Sequence, residues 1–477
     1  LYELMIEKIF ERVKDKWNQT TEQGIKDFVE IPALSPDFDK KWEENGVLLK
    51  AVEFAKDWVE KQDIKGLSTK IVQEEGFPPC LYVEIEASEG NTAKESVFLY
   101  GHLDKQPPNL GWDEDKGPWK PVVQDGKLYG RGAADDGYSF FCSLSAVKAL
   151  QELNISHPRC VGLFETCEES GSAHYETYLK HVEEQLGAIG LVVALDSSCG
   201  DYDRLWITNS LRGMIGGAIK VEVPKEGVHS GEASGIVPSS FMILRSLLDR
   251  VEDSKTGKVI GIPFHTVLTS DILKQSKKIA KILGDKAWEQ FPWAGETSPL
   301  CNEPMECILR RNWEPALTVT GADGIPSVEN GGNVLRPWTK IKIGMRLPPN
   351  VEASLASQAF KDVVTAHPPF NAKVDYEPVV MSNGWVAKEP KKWLKKSFKK
   401  ASKSLWGNDF CYLGMGASIP LLNVFSREWP SAEFVVAGVL GPKSNAHGPN
   451  EFLHIDYAQK LTASVAYIIA KMAKAEE

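Results

Sequence analysis

The sequence predicts an α/β fold in which a mixed sheet and its helices are interrupted by a separate α+β domain. Three observations support this prediction. Short apolar segments alternate with helical patterns in the first part of the chain, which is typical of strands joined by helices. Acidic and histidine residues directly follow several of these segments. From about residue 211 the strands alternate apolar and polar residues instead, which indicates half-buried strands.

The first part of the chain, residues 1–210, carries the pattern of the α/β sheet. Helices are predicted at 1–18, at 47–61 and at 140–150, where apolar residues recur at steps of three and four. Short apolar strands are predicted at 68–72, 81–85, 96–100, 159–164 and 191–195. Because these strands alternate with helices, we expect a mixed sheet with helical connections.

The second part, residues 211–385, predicts a domain of its own. Strands are expected at 219–223, 317–320, 339–345 and 372–379, and helices at 241–250 and 352–366. Strand, helix, two strands, helix, strand is the ferredoxin-like order. The segment 252–312 does not fit this order and is predicted to elaborate it.

The last part, residues 386–477, is predicted to return to the first domain. It begins with a helix at 391–405, continues with an apolar strand at 433–439 and ends with a helix at 455–473. Seven lysines crowd the first of these helices, which also has an apolar stripe. Such a helix is typically a surface helix packed through its stripe, and the alternative is a nucleic-acid or membrane patch.

Composition excludes several classes of protein. The 477 residues carry a net charge of -10, and this overall balance argues against a nucleic-acid-binding protein. No segment approaches the roughly 18 apolar residues of a membrane span. Eight cysteines without a Cys-x-x-Cys pair are expected to be mostly buried or free thiols in a reducing compartment. We therefore expect a cytoplasmic protein. Because the chain does not begin with Met, a leader peptide that has been removed is the alternative.

Candidate ligands for a metal stand where strands end or helices begin. They are His102 with Asp104, Asp135 with Asp136, Glu168 with Glu169, Asp196, and His447. Open α/β sheets bind ligands at the carboxyl ends of their strands. Singly, each acid could be a helix cap or a solvent-facing group. Together on one rim they would repel one another unless a cation lay among them.

The donor set fits two metals. Five ligands, His102, Asp135, Glu169, Asp196 and His447, give each metal one imidazole and one terminal carboxylate if Asp135 bridges. Two metals roughly 3.5–4 Å apart can share a water and lower its pKa. Imidazole with carboxylate suits Zn²⁺, Mn²⁺ or Co²⁺ better than Mg²⁺ or Ca²⁺.

Two further acids have expected roles beside these ligands. Asp104 lies two residues from His102, on the same side of a strand, and can accept the hydrogen bond of the imidazole N–H. Glu168 is next to ligand Glu169 and is left free to act as a general base.

Several motifs, taken together and in this order, resemble the M20 family of di-metal peptidases. Within it they are most similar to the dipeptidases of the cytosolic nonspecific dipeptidase and carnosinase kind. The motifs are Gly101-His102-Leu103-Asp104, Gly130-Arg131-Gly132-Ala133-Ala134-Asp135-Asp136, Glu168-Glu169-Ser170-Gly171-Ser172, Asp196, His229-Ser230-Gly231, Arg346-Leu347-Pro348-Pro349-Asn350, Ser418-Ile419-Pro420 and Ala446-His447-Gly448-Pro449-Asn450-Glu451. They extend over essentially the whole chain.

The resemblance implies a catalytic domain made of residues 1–210 and 386–477, interrupted by a lid and dimerisation domain at 211–385. It implies two divalent metal ions per subunit, Zn²⁺ or Mn²⁺, with Asp135 as the bridging ligand. The other ligands would be His102, Glu169, Asp196 and His447, and the general base Glu168.

The resemblance also gives roles to residues of the lid and its surroundings. His229 would hold the developing oxyanion, and Arg346 would bind the terminal carboxylate of the substrate as a bidentate fork. Ser418 and Asn333 would contact the substrate. Without the resemblance, His229 could equally be a surface-loop histidine and Arg346 part of a strand-end ion pair. A homodimer through the lid, with His229 reaching the partner's active site, is implied as well.

The sequence departs from the best-known dipeptidases at three places. Gly137 stands where they carry Lys, Ala417 where they carry Gly, and Leu413-Gly414-Met415 replaces their Arg-Glu pattern. We expect these departures to touch the substrate pocket more than the metals, and so to change the substrate and not the reaction.

The predicted function is metal-dependent hydrolysis of the amide bond of dipeptides or very short peptides by a bridging hydroxide, with Glu168 as the base. Other activities of the family, such as an aminoacylase, N-acyl-amino-acid deacylase or carboxypeptidase, are the nearest alternatives. A two-metal phosphoesterase would need more basic groups near the metals. A binding protein without activity would lack the base or a ligand, and this sequence has Glu168 and all five ligands.

Overall fold

A computed structural model describes residues 2–474 of the chain. Within this range the chain forms two compact units. The first consists of residues 2–208, 387–413 and 424–474, and the second of residues 209–386 and 414–423.

The short segment 414–423 packs with the second unit, whereas the sequence placed all of 386–477 with the first. Several hydrogen bonds hold it there. The Ser418 hydroxyl donates to the Arg212 carbonyl oxygen (2.5 Å), and Arg212 Nε donates to the Gly416 carbonyl oxygen (3.2 Å). Hydrogen bonds between residues about 200 positions apart leave no local pattern in the sequence. The sequence therefore could not show that this segment packs with the second unit.

The segment up to residue 211 contains seven helices and eight strands among the described residues. The helices are α1 Tyr2–Lys16, α2 Glu22–Val29, α3 Trp42–Asn45, α4 Val47–Glu60, α5 Tyr138–Glu152, α6 Tyr175–His181 and α7 Glu183–Leu186. The strands are β1 Leu67–Val72, β2 Cys80–Ile85, β3 Ser96–His102, β4 Val122–Gln124, β5 Lys127–Tyr129, β6 Cys160–Glu165, β7 Ile189–Ala194 and β8 Trp206–Leu211.

The inserted second unit and the returning segment supply the remaining elements. The helices are α8 Ser230–Ala233, α9 Ser240–Leu248, α10 Ser270–Leu283, α11 Lys286–Glu289, α12 Pro304–Asn312, α13 Ala353–Thr365, α14 Lys392–Trp406, α15 Leu421–Glu428 and α16 Ile455–Met472. The strands are β9 Gly213–Glu222, β10 Val228–His229, β11 Glu252–Asp253, β12 Lys258–Val259, β13 Ala316–Asp323, β14 Val334–Leu335, β15 Trp338–Leu347, β16 Lys373–Ser382, β17 Trp385–Val386, β18 Cys411–Met415, β19 Glu433–Val436 and β20 Phe452–His454.

The first unit is built on a six-stranded mixed sheet with the order β1-β2-β6-β3-β7-β19. Strands β6, β3, β7 and β19 are parallel, while β1 and β2 add an antiparallel edge. Every residue of β3, β6 and β7 is buried, which explains why these strands are continuous apolar runs in the sequence. The carboxyl ends of four parallel strands therefore meet along one edge of the sheet.

Helices α5 and α16 pack against each other, and α5 also packs on β3. The lysine-rich helix α14 packs against α1 and α16. Its apolar stripe, Leu394, Phe398 and Ala401, is buried. Of the seven lysines in the segment predicted as this helix, six are exposed. This arrangement agrees with the surface-helix interpretation of that segment.

The second unit contains a four-stranded antiparallel sheet with the order β13-β15-β9-β16. Helices α9 and α13 pack on it, and side chains such as Ile219, Leu244 and Phe360 form a fully buried core. This is the ferredoxin-like order that the sequence predicted. The segment that did not fit that order forms the hairpin β11–β12 and helices α10 to α12. The predicted fold class, α/β with an inserted α+β domain, is confirmed.

Two of the eight cysteines depart from the expectation of unpaired thiols. Cys301 and Cys307 form a disulfide, with their Cα atoms 5.5 Å apart at the start of α12. The other six cysteines are buried. None of the helices in the described range is both long and apolar enough to cross a bilayer.

Gly137 precedes α5 and has no room for a side chain. A Cβ atom there would lie 2.5 Å from Phe28 Cδ1 and 2.5 Å from the Gly132 carbonyl oxygen. The sequence linked the absence of Lys at this position to the substrate pocket. In the structure, the space beside Gly137 is filled by the Phe28 ring of α2 and the turn that carries Asp135.

We therefore expect Gly137→Ala to destabilise the first unit by about 1–3 kcal/mol, since a well-packed site must shift to admit the methyl group. The measurement is the midpoint of urea-induced unfolding followed by tryptophan fluorescence. Gly117→Ala is the control, because a Cβ atom there meets only Lys120 Cβ, at an ordinary 3.5 Å. Equal midpoints for the two variants would contradict the packing argument.

Candidate metal centre

The predicted ligands lie at the carboxyl edge of the sheet in the first unit. His102 is the last residue of β3, Glu169 follows β6 in a short 3₁₀ turn, and Asp196 comes two residues after β7. Asp135 lies in the turn that precedes α5, and His447 in the loop between β19 and β20. His102, Glu169 and Asp196 lie at or just beyond strand ends, so the sheet determines where they lie, whereas His447 stands exposed in a longer loop.

Asp135 lies between the two histidines. Its Oδ1 atom is 3.4 Å from His102 Nε2, and its Oδ2 atom is 3.0 Å from His447 Nε2. Asp196 Oδ2 lies 3.8 Å from His102 Nε2, and Glu169 Oε2 lies 3.4 Å from His447 Nε2. The two oxygens of one carboxylate thus face two separate sets, each with an imidazole and a further carboxylate.

The donor atoms fit divalent metal ions. His102 Nε2 and Glu169 Oε1 are buried, yet neither has a hydrogen-bond partner between residues 2 and 474. Ligand atoms of His102, Asp135 and Glu169, and likewise of His102, Glu168 and Asp196, lie within 4.8 Å of one another. Imidazole nitrogen and carboxylate oxygen donors at this spacing suit divalent metal ions.

The charges of the site also favour a cation. Burial, and then the neighbouring carboxylates, raise the pKa of Glu168 and Glu169 well above the usual range and that of Asp196 to about 6. Burial acts in the same direction on Asp135, but hydrogen bonds from His102 and His447 outweigh it and lower the pKa. Without a cation, several of these acids would hold protons, so a bound metal must displace protons and binds more weakly at low pH.

Asp104 connects the His102 ring to the Glu168-Glu169 turn. Its Oδ1 atom is 3.4 Å from His102 Nδ1, and the His102 Nδ1 atom is also 3.1 Å from the Asp104 carbonyl oxygen. The same carboxylate accepts hydrogen bonds from the backbone N–H groups of Glu168 (3.2 Å) and Glu169 (3.0 Å). One buried acid therefore orients residues from two strand ends.

Arg131 and Glu451 form a fully buried ion pair that the sequence analysis did not assign a role. Arg131 Nη1 lies 2.7 Å from Glu451 Oε2. Glu451 Oε1 accepts hydrogen bonds from the backbone N–H groups of Ala134 and Asp135, both at 3.1 Å. Arg131 Nη2 donates to the Gly448 carbonyl oxygen at 2.8 Å. The pair thus joins the turn of Asp135 to the loop of His447.

Gln106 is a second contact that the sequence did not indicate. Its Nε2 atom donates to Glu169 Oε2 at 2.6 Å, and this bond orients the carboxylate beside His447.

The sequence carried little signal for these three residues. Both Arg131 and Glu451 stand inside the motifs quoted above, which is the only sequence signal for them. Gln106 stands two residues beyond the His-x-Asp motif and has no signal of its own.

The remaining predicted residues belong to the second unit and fall into two pairs. His229 and Asn333 are exposed and adjoin through β10 and β14, where the Ser230 N–H donates to the Asn333 carbonyl oxygen (2.9 Å). Arg346, on β15, donates from Nη1 to Ser418 Oγ at 3.3 Å. The structure thus brings the two residues of each pair together.

Comparison with known proteins agrees with this geometry. The sequence pattern of peptidase family M20/M25/M40 matches residues 98–471. The chain belongs to this peptidase family. The predicted recognition, a metallopeptidase of the M20 family, is confirmed.

The relatives of the chain include named dipeptidases. The cysteinylglycine-S-conjugate dipeptidase of Corynebacterium striatum is 25% identical over 387 residues, which cover 76% of this chain and 79% of the relative. The Cys-Gly metallodipeptidase dug1 of Schizosaccharomyces pombe is 26% identical over 409 residues, 83% of each chain. The structure of the di-peptidase Dug1p from Saccharomyces cerevisiae superposes with a TM-score of 0.78 at 22% identity, covering 99% of both chains, which shows a shared fold.

We expect Glu451→Gln to weaken metal binding about 10–100-fold, because it leaves the buried Arg131 charge unpaired and loosens the Asp135 turn. The measurement is isothermal titration of Zn²⁺ or Mn²⁺ into protein freed of metal by chelation. Glu176→Gln is the matched control. The Glu176 carboxylate forms an exposed ion pair with Arg427, and exposed pairs of this kind contribute little to stability. Unchanged affinity in Glu451→Gln would show that the buried pair does not position the ligands.

Proposed function

We propose that the protein is a dipeptidase that hydrolyses the amide bond of dipeptides or very short peptides with two divalent metal ions, Zn²⁺ or Mn²⁺, in the cytoplasm. The observation that carries this proposal is the carboxylate of Asp135 between His102 and His447, with Glu169 and Asp196 beside them. Membership of the M20 family and the dipeptidase names of its relatives support it.

The five ligands would hold the metals, with Asp135 shared between them. When bound, two such ions supply Lewis-acid polarisation of the scissile carbonyl and a water that ionises near neutral pH. The protein must then supply a proton acceptor, an oxyanion donor and groups that orient the peptide.

Glu168 is the proposed general base. Its Oε2 atom lies 3.8 Å from His102 Nε2, and its backbone is held by Asp104, so the carboxylate is fixed beside the ligands. It would take a proton from the attacking water and deliver that proton to the leaving amine nitrogen. The same group then serves as base and acid in one turnover.

The second unit would supply the groups that recognise the substrate. Arg346 would bind the terminal carboxylate, with Ser418 beside it at hydrogen-bond distance, and Asn333 would contact the substrate backbone. His229 would donate to the developing oxyanion. The family resemblance supports these roles, and the pairing of Arg346 with Ser418 and of His229 with Asn333 is consistent with them.

The decisive experiment is a hydrolysis screen of the purified protein over dipeptides, tripeptides and N-acyl amino acids, after chelation and after return of Zn²⁺ or Mn²⁺. We expect dipeptide turnover only with metal. Dominant turnover of N-acyl amino acids or of longer peptides would favour a deacylase or carboxypeptidase of the same family.

In the same assay we expect Glu168→Gln to lower kcat by on the order of 10²–10⁴-fold while metal still binds, because only proton transfer is removed. Metal content is measured by mass spectrometry of the dialysed protein. Glu184→Gln, on an exposed position of α7, is the control. Near-normal kcat in Glu168→Gln at full metal content would assign the base elsewhere.

A free terminal carboxylate should be required, because Arg346 is proposed to bind it as a bidentate pair. We expect a dipeptide to have a much higher kcat/KM than its C-terminal amide. Arg346→Ala should reduce turnover of the free acid and leave turnover of the amide nearly unchanged. Equal kcat/KM for acid and amide in the wild-type protein would contradict this role.

We also propose a homodimer in which the second unit dimerises and His229 acts in the partner's active site. The exposed position of His229 on the short strand β10, which pairs only with the equally short β14 among the described strands, is consistent with a role outside its own subunit. An oxyanion donor is expected to contribute roughly 2.7–4 kcal/mol to the transition state.

The test mixes His229→Ala with Glu168→Ala under conditions that exchange subunits. Each heterodimer then contains one site with both residues intact, so activity should return to roughly a quarter of wild type under random pairing. Exchange is verified by native mass spectrometry. Demonstrated exchange without recovery, or an active monomer, would place His229 within its own subunit or outside catalysis.

A further inference from the structure

Three arginines of the second unit converge around Gly416 and Ser418. They are Arg212, which follows β8, Arg311 at the end of α12, and Arg346 on β15. A Cβ atom at Gly416 would lie 3.2 Å from Arg212 Nη2 and 3.6 Å from Arg311 Cγ. Ser418 receives a hydrogen bond from Arg346 and donates one to the Arg212 carbonyl oxygen. We call these three side chains the arginine cluster.

The arginine cluster has no counter-charge in the described part of the chain. None of the ion pairs found between residues 2 and 474 includes Arg212, Arg311 or Arg346. The adjoining segment 410–423 contains no acidic residue. Most other arginines of the chain are paired, as Arg310 is with Glu306 at 3.1 Å. The cluster thus brings together three guanidinium groups that form no ion pair in the described range.

The hydrogen bonds of Arg212 show which donors remain available. Its Nε atom donates to the Gly416 carbonyl oxygen, and its Nη1 atom to those of Arg310 and Glu314. These bonds hold the guanidinium rigidly but leave Nη2 without an acceptor among the described residues. Arg311 has no hydrogen-bond acceptor among them either, although it is half-buried. Arg212 Nη2 and the Arg311 guanidinium therefore remain available to a ligand, as neither has an acceptor in the described part of the chain.

Crowding three cations in this way is unfavourable. Burial, and then the charges of Arg346 and Arg311, lower the pKa of Arg212 to about 9. Burial lowers the pKa of Arg311 and Arg346 as well. All three remain charged at neutral pH, so a bound anion would relieve both the repulsion and the lost hydration. A single carboxylate on Arg346 would neutralise only one of the three charges.

We propose that the arginine cluster is a subsite for a dicarboxylate, so that the enzyme prefers dipeptides whose C-terminal residue is Asp or Glu. Arg346 holds the terminal carboxylate, and Arg311 with Arg212 Nη2 holds the carboxylate of the side chain. This inference rests on the proposed function, because it assigns a substrate class to the same dipeptidase site. Guanidinium groups recognise carboxylates through paired, charge-assisted hydrogen bonds, which gives selectivity over the isosteric amides.

The first test compares kcat/KM for Ala-Glu, Ala-Gln and Ala-Ala on the metal-loaded wild-type protein. We expect Ala-Glu to exceed Ala-Gln by about tenfold or more, mainly through KM, because the difference lies in binding the side chain. If Ala-Gln and Ala-Ala are hydrolysed as well as Ala-Glu, this inference is wrong and the proposed function stands. If no dipeptide is hydrolysed, the proposed function fails and the inference with it.

The second test changes the charge of the cluster. Arg311→Gln should reduce the ratio of Ala-Glu to Ala-Gln towards one. Arg310→Gln, at the neighbouring position of α12, is the control, because its guanidinium pairs with Glu306 and donates to the Thr256 carbonyl oxygen instead. Since the ratio compares two substrates on one variant, loss of folded protein cancels. An unchanged ratio in Arg311→Gln would remove Arg311 from the subsite.

Discussion

The shared carboxylate of Asp135 is the constraint on which the first unit depends. Its two oxygens face imidazoles that come from opposite ends of the chain, His102 on β3 and His447 beyond β19. Such a contact forms only if the parallel strands end in register and the loops that follow them are held. The buried pair of Arg131 and Glu451 supplies that hold, since its hydrogen bonds reach both the Asp135 turn and the His447 loop.

Much of this centre could be predicted from the sequence because each ligand follows an apolar strand or precedes an apolar helix. His102, Asp196 and Glu169 stand at positions that a parallel sheet brings to one edge whatever the details of packing. The contacts that position them could not be predicted in the same way. Glu451 lies 320 residues from Arg131, and a buried charge pair leaves no periodic pattern. The group that fills the space beside Gly137 could not be predicted either, because it is the Phe28 ring of α2 and this contact is a tertiary one.

The candidate metal centre and the arginine cluster have opposite electrostatic characters. At the metal centre, acids are concentrated around two histidines, and burial together with the neighbouring carboxylates raises the pKa of Glu168, Glu169 and Asp196. In the arginine cluster, Arg212, Arg311 and Arg346 form no ion pair with a described residue, and burial lowers their pKa. Each unit therefore carries an electrostatic cost in the free protein that bound ions of the opposite sign would remove, which couples ligand binding to stability.

The order of strands in the mixed sheet also has a consequence for biosynthesis. Strand β19 pairs with β7, but the entire second unit is synthesised between them. On the ribosome, the first 208 residues emerge with the free edge of β7 exposed, and its partner follows only after the second unit has been made. An open parallel edge made of buried apolar residues is a template for wrong pairing. Early folding of the inserted unit shortens the span that must close, so its own stability governs how long the nascent first unit stays exposed to aggregation.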